Sequence, residues 1–170
     1  PFELGIIRNH YVGRTFIEPQ QSIRAFGVKL KHNANQLLVE GKRIILIDDS
    51  LVRGTTSLKI VRMMRDAGAK EVHMRITAPP IKYPDYYGID TPIKDELVAA
   101  KRSIAEIGEY IGVDSIEFLS VDGLYKAMGF KQGRDSKEPA FTDHCFSGDY
   151  PTELVDQNEE DKLRPLTFLS

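Results

Sequence analysis

Two adjacent carboxylates, Asp48 and Asp49, stand directly after a run of four large apolar residues at positions 44–47. A short loop with one glycine, Gly54, follows, and three consecutive hydroxyl residues come next at 55–57. Carboxylate oxygens suit sugar hydroxyls or a hydrated cation. Hydroxyl donors and the free N–H groups of a helix start suit a phosphate. The stretch therefore predicts a site for a phosphorylated sugar.

The apolar run at 44–47 predicts the strand that positions this site. Its unbroken apolar character is typical of a strand buried on both faces in a parallel sheet. A helix is predicted over 56–67, because apolar residues recur there at i, i+3, i+4 and i+7 and Gly68 can end it. A further strand is predicted over 71–77. This order predicts a right-handed crossover, with both carboxylates at the ligand-binding edge of the sheet.

The remaining patterns predict further elements of an α/β protein. They are a strand within 2–7, a strand over 27–31, a short segment between turns at 36–40, helices over 91–100 and 103–111, a strand over 115–119, and a helix from a cap at Asp122 to Met128. Thr91 and Pro92 are the residue types of a helix cap and first turn. Together these elements predict a central, mostly parallel sheet with helices on both faces.

A second group of polar and aromatic residues lies between 8 and 21. Arg8 and Arg14 are cationic, and Tyr11 stands between them. Such a segment beside a strand end is typical either of a lid that closes over a charged ligand or of a solvated surface loop. The aromatic residues at 83–88 leave a similar choice, between lining a ligand pocket and capping the core.

Composition argues against several classes of function. The 170 residues are 41% hydrophobic and 28% charged, which is usual for one globular domain, and the net charge is −2. This charge favours neither nucleic acid nor an anionic membrane as partner, and no apolar run reaches the roughly 20 residues of a membrane span. The single Cys145 cannot form an internal disulfide, which predicts a cytoplasmic location. The start at Pro1 predicts the carboxyl-terminal part of a longer protein.

The run Asp48-Asp49-Ser50, followed after three residues by Gly54-Thr55-Thr56, resembles the loop that binds phosphoribosyl pyrophosphate (PRPP) in type I phosphoribosyltransferases. Together with residues 9–17 and 87–90, it makes the chain similar to the amidophosphoribosyltransferases from Pro1 to about Val155.

That resemblance implies a partial domain of the type I phosphoribosyltransferase fold. Residues 1–129 would be the carboxyl-terminal half of this domain, and 130–170 an extension that is partly irregular or disordered, with a solvated acidic stretch at 156–162. A glutaminase domain and the pyrophosphate-binding loop would lie outside this chain.

The resemblance also implies the roles of the site residues. The substrate-binding positions are Asp48, Asp49, Ser50, Arg53, Gly54, Thr55, Thr56 and Ser57. Asp48 and Asp49 would bind the ribose hydroxyls directly or through Mg²⁺, the implied cofactor, while the helix start would bind the 5-phosphate. The catalytic lid residues Arg8, Tyr11 and Arg14 would cover the pyrophosphate and exclude water.

The implied reaction is displacement of pyrophosphate from C1 of PRPP by ammonia, which gives 5-phosphoribosylamine and opens purine synthesis. Ammonia would come from glutamine in the domain outside this chain, so we expect the isolated chain to be inactive. Purine nucleotides are the implied feedback inhibitors. The complete protein is expected to be a homo-oligomer.

Some members of this family hold an iron–sulfur cluster on four cysteines. The matching positions here are Asp85, Pro139 and Thr142, none of which is a thiolate, and Cys145 alone cannot hold a cluster. We therefore predict no cluster and no chemistry at Cys145.

Two other functions share the PRPP loop and stay open. A salvage phosphoribosyltransferase acting on a purine or pyrimidine base would not call for the lid residues between 11 and 16. A non-catalytic PRPP-sensing regulator would be favoured by a basic nucleic-acid-binding partner, for which the net charge of −2 gives no support.

Overall fold

The fold is built on a small parallel sheet, seen in a computed structural model that describes residues 2–8, 32–89, 91 and 93–154. Its three strands are β3 (Arg43–Asp48), β4 (Glu71–Ile76) and β5 (Ser115–Phe118), in the order β3-β4-β5. Both pairings are parallel, with Leu46 opposite Met74 and Met74 opposite Ile116. The predicted α/β class with a mostly parallel sheet is therefore confirmed.

Most of the other elements are short. The antiparallel pair consists of β1 (Ile6–Arg8) and β2 (His32–Ala34). The helices are α1 (Gln36–Val39), α2 (Thr55–Asp66), a 3₁₀ turn (Lys94–Glu96), α3 (Val98–Lys101), α4 (Ile104–Ile111), α5 (Val121–Ala127) and α6 (His144–Ser147). The predicted helix at 56–67 and the strands at 71–77 and 115–119 agree with these bounds to within one residue. The predicted strand at 27–31 lies outside the described residues.

The core lies between one face of the sheet and two crossover helices. Val61 and Met64 of α2 pack with Met74 of β4 and with Ile107 and Ile111 of α4, all at most 2% exposed. Both crossovers step in the same direction along the sheet, from β3 to β4 and from β4 to β5. Right-handed connections therefore place both helices on the same face.

The prediction that the strand at 44–47 is buried on both faces is wrong for the described residues. Ile45 and Ile47 are 63% and 68% exposed, whereas Ile44 and Leu46 are packed against the core. The reason is topological, because β3 is an edge strand of the described sheet and its crossover helices cover only one face.

The predicted continuous helix over 91–100 is also wrong. Leu97 has an extended backbone (φ −75°, ψ 115°) that separates the 3₁₀ turn from α3. Its side chain is fully buried, and the N–H of Val98 donates to the carbonyl of Val52 at 2.9 Å. These tertiary contacts outweigh the local helix signal of Thr91 and Pro92.

The N-cap of α4 lies at the predicted start of its helix, whereas the N-cap of α5 is not the predicted residue. Ser103 caps α4 in a reciprocal capping box with Glu106, close to the predicted start of a helix at 103. The predicted cap of α5 at Asp122 is wrong, because Ser120 accepts the N–H of Gly123 at 2.9 Å instead. Asp122 lies within the first turn and accepts a bond from the backbone N–H of Arg134.

Asp114 joins the starts of β4 and β5, and its replacement tests this junction. Its carboxylate accepts the N–H of Val72 and a bond from Arg65, both at 2.6 Å. These bonds, that of Val72 foremost, lower the pKa of Asp114. A lowered pKa stabilises the fold above the unfolded value of about 3.9, and the stabilisation is lost as the pH falls through the folded value.

Asp114→Asn is therefore expected to lower the urea midpoint of unfolding near neutral pH, and the deficit should shrink toward about pH 3. Urea titrations of wild type and variant at both pH values check this, with the exposed Asp66→Asn as the control that changes little. A deficit that is independent of pH would contradict the assigned role of the charge.

None of the helices in the described part of the chain has the length and apolar character needed to cross a bilayer.

Candidate functional site

The carboxylate pair lies where β3 ends. Asp48 is the last residue of the strand, and Asp49 begins the loop, so the alternation of side chains stops between them. The N–H of Asp49 donates to Oδ1 of Asp48 at 3.0 Å, and the hydroxyl of Ser50 donates to Oδ1 of Asp49 at 3.1 Å. The pair can therefore face one ligand.

The environment of Asp48 disfavours its negative charge. Burial raises the pKa of Asp48, the neighbouring charge of Asp49 raises it further, and the hydrogen bond from the Asp49 N–H opposes both. A cation or a set of hydroxyl donors at this position would compensate for the lost hydration.

Thr77 holds the end of the strand in place, and it was missed in the sequence. Its N–H donates to the carbonyl of Asp48 at 3.0 Å, and its hydroxyl lies 3.3 Å and 3.4 Å from the carbonyls of Asp48 and Asp49. Thr77 directly follows β4, which is parallel to β3. The rule that parallel strands end at a common edge was the signal for finding it.

The start of α2 offers unused hydrogen-bond donors beside the carboxylates. Its first residue inside the helix is Thr55, and no side chain in the described residues caps it. The first ladder bond runs from the N–H of Leu58 to the carbonyl of Gly54, so the N–H groups of 55–57 precede the ladder. The first turn contains no acidic residue. This end of the site is therefore suited to an anion.

Gly54 has the backbone conformation that this turn requires. Its φ is +76°, in the left-handed region, and a Cβ there would lie 3.1 Å from Cε1 of Tyr110. The Tyr110 ring is itself covered by the guanidinium of Arg102, 4.7 Å from the ring centroid. Neither Tyr110 nor Arg102 was predicted, because only the packing of α4 brings them to the loop.

Arg53 is held by a partner that the sequence did not indicate. Its Nε and Nη2 donate to Oε2 of Glu96 at 2.7 Å and 2.6 Å. Together with the bond from Val98 to Val52, this ion pair ties the loop to the 3₁₀ turn and α3. The side chain of Arg53 thus stabilises the loop through its ion pair with Glu96.

The hydroxyl residues of the helix start differ in exposure. Thr55 and Thr56 are half-buried, whereas Ser57 is only 4% exposed. Leu51, at 2% exposure, anchors the middle of the loop in the core. Two hydroxyls therefore remain accessible beside the N–H groups.

The predicted lid lies largely outside the described residues. Tyr11 and Arg14 lie outside the described residues, as does the whole stretch 9–17. Arg8 belongs to β1 by its backbone. Within the resembling stretch at 87–90, Tyr87 is held by the Asp85 carboxylate, which accepts its N–H at 3.0 Å.

Comparisons with known proteins agree on one family. No protein-family model matches the chain. The amidophosphoribosyltransferase of Rhizobium etli is 60% identical over 171 positions, which cover 100% of this chain and 34% of the relative. The amidophosphoribosyltransferase of Bacillus subtilis is 52% identical over 154 positions, 91% of this chain and 32% of the relative. The chain thus spans about a third of the length of these relatives.

Solved structures give the same result. The glutamine PRPP amidotransferase from B. subtilis complexed with ADP and GMP is 50% identical, with a TM-score of 0.75, over 92% of this chain and 34% of that one. A structure described as the allosteric regulatory enzyme of purine biosynthesis also has a TM-score of 0.75 at 50% identity, over 92% of this chain and 33% of that one. At 50% identity, these two structures share sequence as well as fold with this chain.

Proposed function

Because this chain belongs to the amidophosphoribosyltransferase family and has the type I phosphoribosyltransferase fold, we propose that it supplies the ribose- and 5-phosphate-binding part of an enzyme that transfers ammonia to PRPP. The observation that carries this proposal is the uncapped start of α2 beside the carboxylates of Asp48 and Asp49. One ligand with a phosphate at one end and a diol in its middle matches both parts.

In the proposed reaction the lone pair of ammonia attacks C1 of the ribose as the C1–O bond to pyrophosphate breaks. Pyrophosphate leaves with the bonding electrons, and the ammonium group formed at C1 loses a proton to water, giving 5-phosphoribosylamine. Ammonia would come from glutamine, as the family name implies. The protein's contribution is to position the ribose and to stabilise charge.

The 5-phosphate is proposed to bind the N–H groups of 55–57 and the hydroxyls of Thr55 and Thr56. These donors make charge-assisted bonds, and the helix dipole adds to them. Ser57 contributes mainly its N–H, because its side chain is buried. Ser50 and Gly54 shape the loop, and Arg53 acts through its ion pair with Glu96.

The ribose hydroxyls are proposed to bind Asp48 and Asp49, with Mg²⁺ as the cofactor. Two carboxylates of which one is partly desolvated fit a hard cation that accepts oxygen ligands. When bound, Mg²⁺ would neutralise part of the charge of the pyrophosphate. Asp48 and Asp49 would hold the sugar with its C1 toward the incoming ammonia.

Further parts of the proposal rest on the resemblance. Arg8, Tyr11 and Arg14 would close over the pyrophosphate, and residues 1–129 and 130–170 would be the half-domain and its extension. ADP and GMP are bound in the solved B. subtilis relative, and purine nucleotides are the proposed feedback inhibitors here. We also propose that the complete protein is a cytoplasmic homo-oligomer.

A thermal-shift titration tests the ligand. PRPP with Mg²⁺ is expected to raise the unfolding temperature, PRPP without Mg²⁺ to raise it less, and free purine or pyrimidine bases to leave it unchanged. Stabilisation by a base instead would favour a salvage enzyme. In the complete enzyme, glutamine-dependent pyrophosphate release checks the reaction, and its absence would overturn the proposed activity.

A further inference from the structure

A second cluster of polar side chains, which shares no residue with the proposed PRPP site, lies where the loop after β4 meets α6. It consists of Asp85, His144 and Cys145. One donor atom from each side chain, an oxygen, a nitrogen and a sulfur, lies within 4.8 Å of the other two. Asp85 and His144 are 9% and 5% exposed, and Cys145 is half-buried. The proposed transferase reaction uses none of these groups.

The carboxylate of Asp85 is fixed before any ligand arrives. Its Oδ2 accepts the N–H groups of Tyr87 and Ile89 at 3.0 Å and 2.7 Å. Its Oδ1 is directed to His144, with 2.7 Å between Oδ1 and Nε2. Metal sites in proteins rely on such bonds to orient their ligands.

The imidazole of His144 has unused capacity. Its Nδ1 is buried and has no hydrogen-bond partner in the described part of the chain. The rings of Tyr87 and Tyr150 surround it, each with its centroid 5.1 Å from the imidazole. A buried nitrogen without a hydrogen-bond partner is costly.

The backbone holds Cys145 against the same loop. Its carbonyl accepts the N–H groups of Lys82 and Tyr83 at 2.9 Å and 3.1 Å. This arrangement brings the thiol close to Asp85, although 60 positions separate them in the sequence.

We propose that Asp85, His144 and Cys145 bind a divalent transition-metal ion, with Zn²⁺ fitting the donor set best. Thiolate, imidazole and carboxylate together suit Zn²⁺ and disfavour Mg²⁺ and Ca²⁺, which take oxygen ligands. Donors bonded to one Zn²⁺ lie roughly 3.3–3.5 Å apart, so Oδ1 of Asp85 and Nε2 of His144, which are 2.7 Å apart, must separate slightly to bind the same ion, and the thiol of Cys145 must face the gap between them. Binding displaces the thiol proton to solvent and clamps the loop at 82–89 onto α6. This site is independent of the proposed transferase function.

Metal uptake by the purified protein tests the site, with Co²⁺ and Zn²⁺ as probes. Wild type is expected to take up one more Co²⁺ per chain than Cys145→Ser and to show a thiolate-to-cobalt charge-transfer absorption that Cys145→Ser lacks. Zn²⁺ should bleach this absorption and raise the unfolding temperature of wild type. Asp85→Asn, which preserves shape, should weaken Co²⁺ binding at least about tenfold.

His73→Gln is the matched control, because His73 also pairs with a carboxylate, Glu71, at 3.0 Å but has no thiol beside it. It should bind Co²⁺ as wild type does. Equal Co²⁺ uptake by wild type and Cys145→Ser, or no charge-transfer absorption in wild type, would overturn the proposal and leave a simple Asp85–His144 pair. Circular dichroism of each variant confirms that it is folded.

Discussion

Replacing Asp48 and Asp49 together with Asn is expected to lower kcat/KM for PRPP by on the order of 10³-fold in the complete enzyme. Each ionised carboxylate is assigned hydrogen bonds worth about 1.5–3 kcal/mol, so the pair contributes about 4 kcal/mol, and each 1.4 kcal/mol is tenfold. Steady-state kinetics with PRPP as the varied substrate measures the loss.

The same double variant should not lose stability. Burial and the charge of Asp49 raise the pKa of Asp48, so ionising this carboxyl costs more free energy in the folded protein than in the unfolded chain. Asn removes that charge, and the unfolding temperature is expected to stay level or to rise. Asp66→Asn, at the opposite end of α2, is the control for charge and should leave kcat/KM unchanged. Near-normal turnover of the double variant would show that the site has been misassigned.

Gly54→Ala is expected to weaken PRPP binding about 10²-fold, because small displacements of a positioning loop have effects of this size. The left-handed backbone at Gly54 costs an alanine roughly 1–2 kcal/mol. The added Cβ would also meet Tyr110 at 3.1 Å, so either the ring or the start of α2 must shift. Calorimetric titration with PRPP measures the affinity.

Gly41→Ala separates backbone strain from the effect on the site. Gly41 has a similar φ of +70°, and a Cβ there would meet no atom within 4 Å. The Gly41→Ala variant should lose a comparable free energy of unfolding and keep its PRPP affinity within about twofold. Equal losses of affinity in both variants would mean that general destabilisation, rather than the geometry of the loop, explains the result.

The elements around the site were predictable because their signals are local. The apolar run before Asp48, the glycine at 54 and the apolar spacing within α2 each act over one or two turns of chain. Their bounds agree with the structure to within one residue. The same local signals carried the family resemblance, which the comparisons confirm.

The features that escaped prediction depend on contacts between distant parts of the chain. Leu97 interrupts a helix because the core needs its side chain, and Arg53 pairs with Glu96, 43 positions away. The exposure of Ile45 and Ile47 follows from strand order and from which face the crossover helices cover. Local periodicity contains none of this information.

The meeting of Asp85 and His144, 59 positions apart, has the same origin. At the level of sequence, Asp85 was notable only as a position that the family resemblance matches to a cysteine of an iron–sulfur cluster. The fold adds the imidazole, which the sequence alone did not bring to that position.

The most direct test of the proposed PRPP site follows the backbone amides of Thr55, Thr56 and Ser57 by NMR during titration with ribose 5-phosphate. We expect the largest ¹H–¹⁵N shifts at these three amides, smaller shifts at the same amides with inorganic phosphate, and none there with ribose alone. If these three amides do not shift while others respond to ribose 5-phosphate, the result contradicts the assignment of the α2 start as the phosphate site.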